Sequence, residues 1–311
     1  MKIFRGLRHP GIAPGCALTI GNFDGVHLGH QALMALARER AAARGGPSAV
    51  LTFDPHPVRV LRPAVAPPVL TSLGRKLELL AALGLDAAVV QPFDLAWART
   101  SAGEFVARDL VAGLGVRDVV VGHDFTAGHE RARVDVLRGL LDAHGVALHV
   151  VAPVASDGLV VSSTKIRELV LEGNVEAAAA LLTRPHEVEG TVTRGAGRGR
   201  GIGFPTANVA TAGLLPRNGV YAVRAWVGDP ASARAGVANV GVKPTVESAG
   251  EVTCEAHLFG HDGSDLYGAP IRVAFVARLR EERRFPSLEV LTAQIAADAA
   301  RARELLGEGP M

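Results

Sequence analysis

Short β-branched runs alternate with longer alanine- and leucine-rich stretches through the first 180 residues, an order that few folds accept. The pattern predicts strands at Ala17–Ile20, Ala49–Phe53, Asp86–Gln91, Asp118–Val121 and Leu148–Val151. Between them it predicts helices at Gln31–Arg44, Thr71–Leu83, Ser101–Leu110 and Val134–His144. Strands joined through helices by connections of a few residues imply a parallel sheet covered on both faces. In such α/β sheets ligands sit outside the carboxyl ends of the strands.

Near Arg184-Pro-His186 the pattern changes to short strands and glycine- or proline-rich turns: Glu187–Thr193, Gly219–Val227, Gly236–Val240, Val252–Phe259 and Ile271–Leu279. A final helix is predicted over Ser287–Leu306, with one apolar stripe to pack against the body. The fold class expected is α/β, a Rossmann-like parallel sheet followed by a small antiparallel β-barrel with a docked C-terminal helix. The two folds are expected to occupy residues 1–183 and 184–311, joined near 183–187, which suits a chain of 311 residues.

Composition excludes several classes. With 48% hydrophobic and 21% charged residues the chain has material for real cores and is neither disordered nor fibrous. A formal charge of only +2 and the lack of aromatics interleaved with a basic stripe argue against nucleic acid as a partner. No apolar run is long enough to span a bilayer, and no leader is evident, so a cytoplasmic protein with no membrane partner is expected. Cys16 and Cys254 lie far apart in apolar runs and suggest buried thiols, neither a disulfide nor a zinc site.

Directly after the first predicted strand stands Gly21-Asn-Phe-Asp-Gly-Val-His-Leu-Gly-His30. A helix beginning near Leu28 would put His27 and His30 at its N-terminus, where free N–H groups and the dipole favour an anion. Imidazole and backbone donors there suit a reaction that builds charge on a phosphoryl group. The segment is neither a Walker A loop nor GxGxxG, and a metal would need a third ligand, Asp24 and His56 being the nearest candidates. A second element, Val161-Ser-Ser-Thr-Lys-Ile-Arg167, opens a helix. Read blandly it is a serine/threonine cap. Lys165 and Arg167 in the first turn oppose the dipole, which points to a bound polyanion such as a triphosphate. Together the two elements suggest an ATP site for nucleotidyl transfer.

These motifs resemble the HxGH nucleotidyltransferases, and nearly the whole chain resembles the bacterial bifunctional riboflavin kinase/FMN adenylyltransferases. The likeness runs through Thr52-Phe-Asp-Pro-His-Pro57, Lys76-Leu-Glu-Leu-Leu80, Gly122-His-Asp-Phe125, Gly203-Phe-Pro-Thr-Ala-Asn208, Ala238-Asn-Val-Gly241 and Glu255-Ala-His257. The resemblance implies that His27 and His30 act on the ATP phosphates during adenylylation of FMN. It gives Ser163, Thr164 and Arg167 to the β and γ phosphates, and Asn22, Phe23 and Asp24 to the nucleotide pocket. It places Asp54 and His56 beside the flavin, and adds Asp124, Phe125, Gly203 and Lys243 to the ligand-binding groups. One departure stands out: where the family carries an aromatic in DFxFG, this chain has Asp124-Phe-Thr-Ala-Gly128. Loss of a ring at Ala127 implies altered flavin binding unless a neighbour such as Trp97 fills the gap.

In the second half, Thr206 and Asn208 share a face if their segment is a strand, and their oxygens are suitable hard ligands for Mg²⁺ on ATP phosphates. An ordinary edge strand after a Gly/Pro turn is the bland alternative. Glu255 sits among apolar neighbours at strand spacing, and the resemblance makes it the base acting on the ribityl hydroxyl of riboflavin. The chain is thus expected to bind ATP, riboflavin, FMN and FAD as substrates or products, with Mg²⁺, as a monomer or weak homo-oligomer. Two other readings stay open at this level: a kinase whose adenylyltransferase half is weak or serves another acceptor, and a flavin-binding regulator with both activities lost.

Overall fold

Strands buried on both faces need apolar residues at nearly every position, and four of the predicted runs come close, broken only by Thr19, Thr52 or polar residues at their ends. The computed structural model describes residues 1–7, 11–194, 204–229, 231–242, 252–261 and 266–307. Backbone proximity divides the chain into two units, Met1–Pro67 with Leu73–Ser162, and Pro68–Ser72 with Ser163–Met311.

In chain order the first unit contains β1 (Lys2–Arg5), β2 (Ala17–Ile20), α1 (Leu28–Arg44), β3 (Ser48–Asp54), α2 (Pro57–Leu61) and α3 (Leu73–Ala82). There follow β4 (Ala87–Pro92), α4 (Ala102–Glu104) running on as a π-helix over Phe105–Gly113, β5 (Asp118–Gly122), α5 (Val134–Asp142) and β6 (Ala147–Val151). A short hairpin of β7 (Ala155–Ser156) and β8 (Leu159–Val160) ends the unit. The six-stranded sheet has the order β1-β4-β3-β2-β5-β6, with every pairing parallel. Alternate residues of β3 feed two cores. Val50 joins Met34 and Ala37 of α1 and Leu80 of α3 on one face; Leu51 joins Phe105, Leu110 and Leu137 on the other. The strand order reverses between β2 and β5, which makes the carboxyl ends of these two strands the place where such a sheet binds its ligand.

The second unit begins with α6 (Ser163–Glu172) and α7 (Val175–Leu182), and Thr183 closes α7 in a left-handed conformation with φ of 62°. Six antiparallel strands follow: β9 (His186–Thr193), β10 (Ala207–Ala210), β11 (Gly219–Val227), β12 (Ala233–Val242), β13 (Val252–Leu258) and β14 (Pro270–Arg280). They close into a barrel in the order β10-β13-β12-β11-β14-β9. Tyr221, Val223, Cys254, Ala256 and Phe275 point inward. The final helix, α8 (Leu288–Leu306), is capped by Ser287 and covers Ala222, Ala235 and Ala277 on the barrel's outer face with Ala302 and Leu306.

The α/β class and the parallel-sheet-plus-barrel architecture agree with the sequence reading, and most elements lie within two residues of their expected bounds. Several elements went unassigned there. β1 is an edge strand with charged residues at both ends, too short to show a pattern. The hairpin strands have two residues each. The helix expected over Ser101–Leu110 begins as predicted with a Ser101/Glu104 capping box, then widens to π geometry. Both thiols are fully buried, and burial pushes Cys16 up to about 11 and Cys254 up to about 12, so each behaves as a small apolar side chain.

Phe275 is fully buried inside the barrel, edge-on to Tyr221 at 5.4 Å and face-to-face with His186 at 6.3 Å. Phe275→Ala should destabilise the barrel by about 3–5 kcal/mol, read as a lowered midpoint in chemical denaturation.

Candidate functional site

The first cluster is built where β2 ends. Gly21 N–H donates to Leu51 O at 3.1 Å, the last tie to the neighbouring strand before the chain turns into the loop ahead of α1. Phe23 and Val26 both adopt left-handed backbone, with φ of 50° and 45°, although neither is glycine. For β-branched Val26 this is a strained state, of order 1–3 kcal/mol, sustained by its surroundings. Phe23 and Val26 are buried, and Gln31 Nε2 donates to Val26 O at 3.0 Å. Beneath the loop, the carbonyl of Asn22 accepts from Lys76 Nζ at 2.8 Å and from Thr52 Oγ1 at 3.2 Å.

His27 is the N-cap of α1: its Nδ1 accepts from the His30 N–H at 3.3 Å. A neutral His27 therefore carries its proton on Nε2, leaving a donor directed away from the helix. The His27 and His30 rings stack with centroids 3.5 Å apart and planes 18° apart, and Phe23 meets His30 edge-on at 5.2 Å. Gly29 lets the stack form, since a Cβ there would press on the His27 ring at 3.3 Å. Burial, with the His27 ring and the Lys76 ammonium nearby, holds His30 well below the usual histidine range. Both His30 Nδ1 and Asn22 Oδ1 are buried with no hydrogen-bond partner among the described residues. Stacked imidazoles at the N-terminus of a 17-residue helix, where the dipole favours negative charge, make a site suited to an anion.

The other residues expected here divide. Asp24 is buried in the same loop and, with Asp54 at the end of β3, faces Lys76. His56 N-caps α2, its Nδ1 accepting from Val58 N–H at 3.2 Å, which gives it a structural task at this sheet end. Asp124 lies exposed in the turn after β5, and Phe125 packs against the core beside it. Ala127 is buried in that core and bridged to Ala132, so its side chain bears on core packing; Trp97 joins Phe53, Phe93 and Phe105 in an aromatic cluster against the same core. Ser163, Thr164 and Arg167 open α6 in the second unit. The cations expected to need an anion have partners: Lys165 Nζ donates to Glu168 at 3.1 Å, and Arg167 Nε to Pro68 O at 2.8 Å.

The second cluster lies on the outer face of the barrel. Inward Cys254 and Ala256 turn Glu255 outward, and strand register sets Asn208 of β10 on one side of it and Asn239 of β12 on the other. Asn208 is buried between inward-facing Ala207 and Val209; Thr206 precedes the strand with the same parity. Thr206, Glu255, Asn239, His257 and Glu282 line a cavity of about 510 Å³ with apolar walls from Phe204, Val237 and α8. Asn239 Nδ2 donates to Glu282 Oε1 at 3.1 Å, and His257 Nδ1 pairs with Pro205 O at 2.9 Å. Arg280 binds Asp298 of α8 at 2.8 Å and lies over the Phe285 ring, with Arg283 also 5.0 Å from that ring. Arg283, an exposed residue, also lines the cavity. Gly203 and Lys243 lie outside the described residues. Among the described residues no group of three His, Cys, Asp or Glu could hold a metal by itself.

Three residues escaped the sequence reading as site members: Lys76, Asn239 and Glu282. Lys76 had a visible signal, a lysine on the apolar stripe of a helix four residues before Leu80, in a chain with only four lysines. The other two owe their place to strand register and to the chain's course after β14.

Donors gathered for a phosphate chain at a sheet's switch point, and a carboxylate opening on a barrel cavity, define an enzyme of nucleotide and phosphoryl transfer. A family model for FAD synthetase matches residues 9–165, and one for riboflavin kinase matches residues 182–306. The bifunctional riboflavin kinase/FMN adenylyltransferase of Pseudomonas fluorescens is 41% identical over 310 residues, spanning 98% of each chain. That of Escherichia coli strain K12 is 38% identical over 312 residues, 99% of this chain and 98% of the relative. Among solved structures, one described as a macrolide-efflux protein from Streptococcus pneumoniae matches with a TM-score of 0.86 at 28% identity, covering 97% of this chain and 99% of that one. This chain belongs to the bifunctional riboflavin kinase/FMN adenylyltransferase family.

The His30 environment carries a pH signature. A folded-state pKa below the unfolded value means that the unfolded chain takes up the proton first as pH falls through 6.5. Wild type should therefore lose about 1 kcal/mol relative to His30→Asn between pH 7.5 and 5.5, checked by denaturation of both proteins at the two pH values.

Proposed function

We infer that the two clusters perform two successive reactions: riboflavin and ATP give FMN and ADP, and FMN and ATP give FAD and pyrophosphate. The observation carrying this reading is that each unit has a site suited to a different proton problem. In the first step the nucleophile is a neutral hydroxyl that must lose a proton. In the second it is a phosphate oxygen already bearing negative charge.

Glu255 meets the first need. The ribityl hydroxyl attacks the γ phosphorus, the bond to the ADP oxygen breaks, and Glu255 takes the hydroxyl proton. Asn208 and Asn239 border the carboxylate on both sides, and the apolar walls of the cavity suit a flavin ring. Thr206 and Asn208 supply a hydroxyl and an amide oxygen, a donor set that fits Mg²⁺, which when bound would offset the charge of the ATP phosphates. Gly203 and Lys243 are assigned to the same ligands on the motif alone.

The first unit's site offers donors, and its nearby carboxylates Asp24 and Asp54 face the Lys76 ammonium, an arrangement that suits the second step. The FMN phosphate attacks the α phosphorus of ATP and pyrophosphate leaves. Charge grows on the departing oxygens, where His27 Nε2–H, His30 and the first-turn amides of α1 stabilise it. Asn22, Phe23 and Asp24 shape the nucleotide pocket; Asp54, His56, Asp124 and Phe125 border the acceptor at the same sheet end. Assignment of Ser163, Thr164 and Arg167 to the β and γ phosphates rests on their sequence motif. We place adenylyl transfer in residues 1–183 and the kinase in 184–311, in a cytoplasmic protein that acts as a monomer or weak homo-oligomer without nucleic-acid or membrane partners. Among the described residues no helix is long and apolar enough to cross a membrane.

Separate substitutions test the two-site reading by chromatography of the products. Glu255→Gln should lower FMN formation from riboflavin by about 10²–10⁴-fold and leave adenylylation of supplied FMN intact. His30→Ala should lower FAD formation from supplied FMN by about 10²–10³-fold and leave the kinase step unchanged. Parallel loss of both reactions in folded variants would falsify the assignment.

A further inference from the structure

Lys76 is a buried cation that neither reaction, as described, uses. It lies on the inward face of α3, 6% exposed, with its ammonium 2.8 Å from the carbonyl of Asn22. A lysine hidden to this degree is costly unless it is paired and hydrogen-bonded, and an ordinary helix–sheet contact would be served by leucine at no such cost. Its position relative to the chemistry is specific. The carbonyl it holds belongs to the residue at which β2 has ended and the left-handed turn begins, and Phe23, next in the chain, packs its ring against His30. Thr52 of β3 donates to the same oxygen at 3.2 Å, so sheet and helix grip one backbone atom together.

Asp24 from the loop and Asp54 from the end of β3 favour the charged lysine, while burial opposes it. His30 feels the Lys76 charge, and His27 stacks on His30. A carboxylate pair, a buried ammonium and two imidazoles are thus gathered about a loop in which Asn22 Oδ1 and His30 Nδ1 are buried without a partner among the described residues. Those two atoms have lost water without gaining a protein partner, which is how a site looks when a ligand completes its hydrogen bonds.

We propose that Lys76 is the positioning residue of the adenylyl-transfer loop, holding Asn22 and the left-handed turn at Phe23 in place and setting its ammonium near His30. The proposal rests on the assignment of adenylylation to this loop. A positive charge near His30 disfavours a second one on the ring. His30 then meets the ATP phosphates as a neutral imidazole, whose ring N–H donates a hydrogen bond that strengthens as charge grows on the departing pyrophosphate, with no proton transferred. The backbone grip serves the same end, since a loop that relaxed to ordinary β geometry would carry Phe23 away from His30 and release the stack.

Lys76→Met keeps the length and apolar stem of the side chain and removes the charge and the donor. In the full-length protein it should reduce the kcat for FAD formation from supplied FMN by about 10–100-fold, with riboflavin phosphorylation in the same preparation unchanged. The acid limb of the adenylylation pH profile should move upward by about 0.5–1 pH unit, and the His30 ring signals, followed by NMR in ligand-free protein, should titrate higher by the same amount. Lys76→Arg restores the charge without the original fit: its acid limb should return to the wild-type position while kcat stays reduced. A Met variant that merely melts earlier, with wild-type kcat, an unmoved acid limb and an unmoved His30 titration, would reduce Lys76 to a structural lysine and overturn the proposal. If the Met variant does not fold, the Arg variant decides: wild-type kcat, or a displaced limb despite the retained charge, overturns it as well. Absence of FAD formation by wild type, with the His30 titration still shifted in Lys76→Met, would instead refute the reaction assigned to the loop and leave the electrostatic role standing.

Discussion

A parallel sheet buried on both faces has room for polar chemistry only where its strands stop. In the first unit β2, β3 and β5 are apolar along nearly their whole length, and their inward residues feed cores above and below. Several ionisable groups accordingly stand at the carboxyl ends: the His27/His30 pair after β2, Asp54 at the end of β3 and Asp124 after β5. The strand order reverses between β2 and β5, where diverging loops leave such a sheet room for a ligand. The site follows from where the core forbids charge as much as from the residues that carry it.

The barrel solves the same problem differently. An antiparallel strand alternates between core and outer face, so the burial of Cys254 and Ala256 turns Glu255, itself half-buried, to the outer face. Closure of the barrel supplies neighbours on both flanks, Asn208 and Asn239, and α8 roofs part of the outer face into a cavity. In the proposed reading, the carboxylate that accepts a hydroxyl proton and the donors that stabilise a departing pyrophosphate are thus built on two architectures, each of which places one kind of group well. A helix N-terminus offers donors; an outward strand position beside a cavity offers a carboxylate.

Stability is given up locally at the first site. Two left-handed non-glycine residues, a buried ammonium and two unpartnered polar atoms occupy a loop of a few residues beside a fully packed core. Each departs from what burial favours, and each points at the loop that holds the histidines. Strain and desolvation of this kind persist where surrounding packing over-determines the backbone, here through Thr52, Lys76 and the buried rings of Phe23 and Val26. The π-helix over Phe105–Gly113, by contrast, has no such connection to the histidine loop, and the structure offers no physical account of its widened turns.

Much of this was legible from local chemistry. Strand and helix alternation, the helix start that puts His27 and His30 near its N-terminus and the strand spacing of Glu255 depend on residues close in sequence, where periods of two and 3.6 and the orphan amides of a helix start act directly. The change of pattern near residue 184 likewise marked the start of β9, although backbone proximity divides the chain earlier, after Ser162. Local rules could not show that Ala127 is sealed in a core, that His56 spends its Nδ1 on a helix cap, or that Arg167 binds Pro68. Nor could they show that Asn239 comes beside Glu255 or that Lys76 reaches under Asn22, since those neighbours lie 16 and 54 residues apart and meet only when register and packing are set. Which elements form, and which faces they hide, follows from the order of residues, because propensity and periodicity act within a few positions. Which polar groups share a charge environment is set by packing, because distant strands and helices must exclude water from the same small volume.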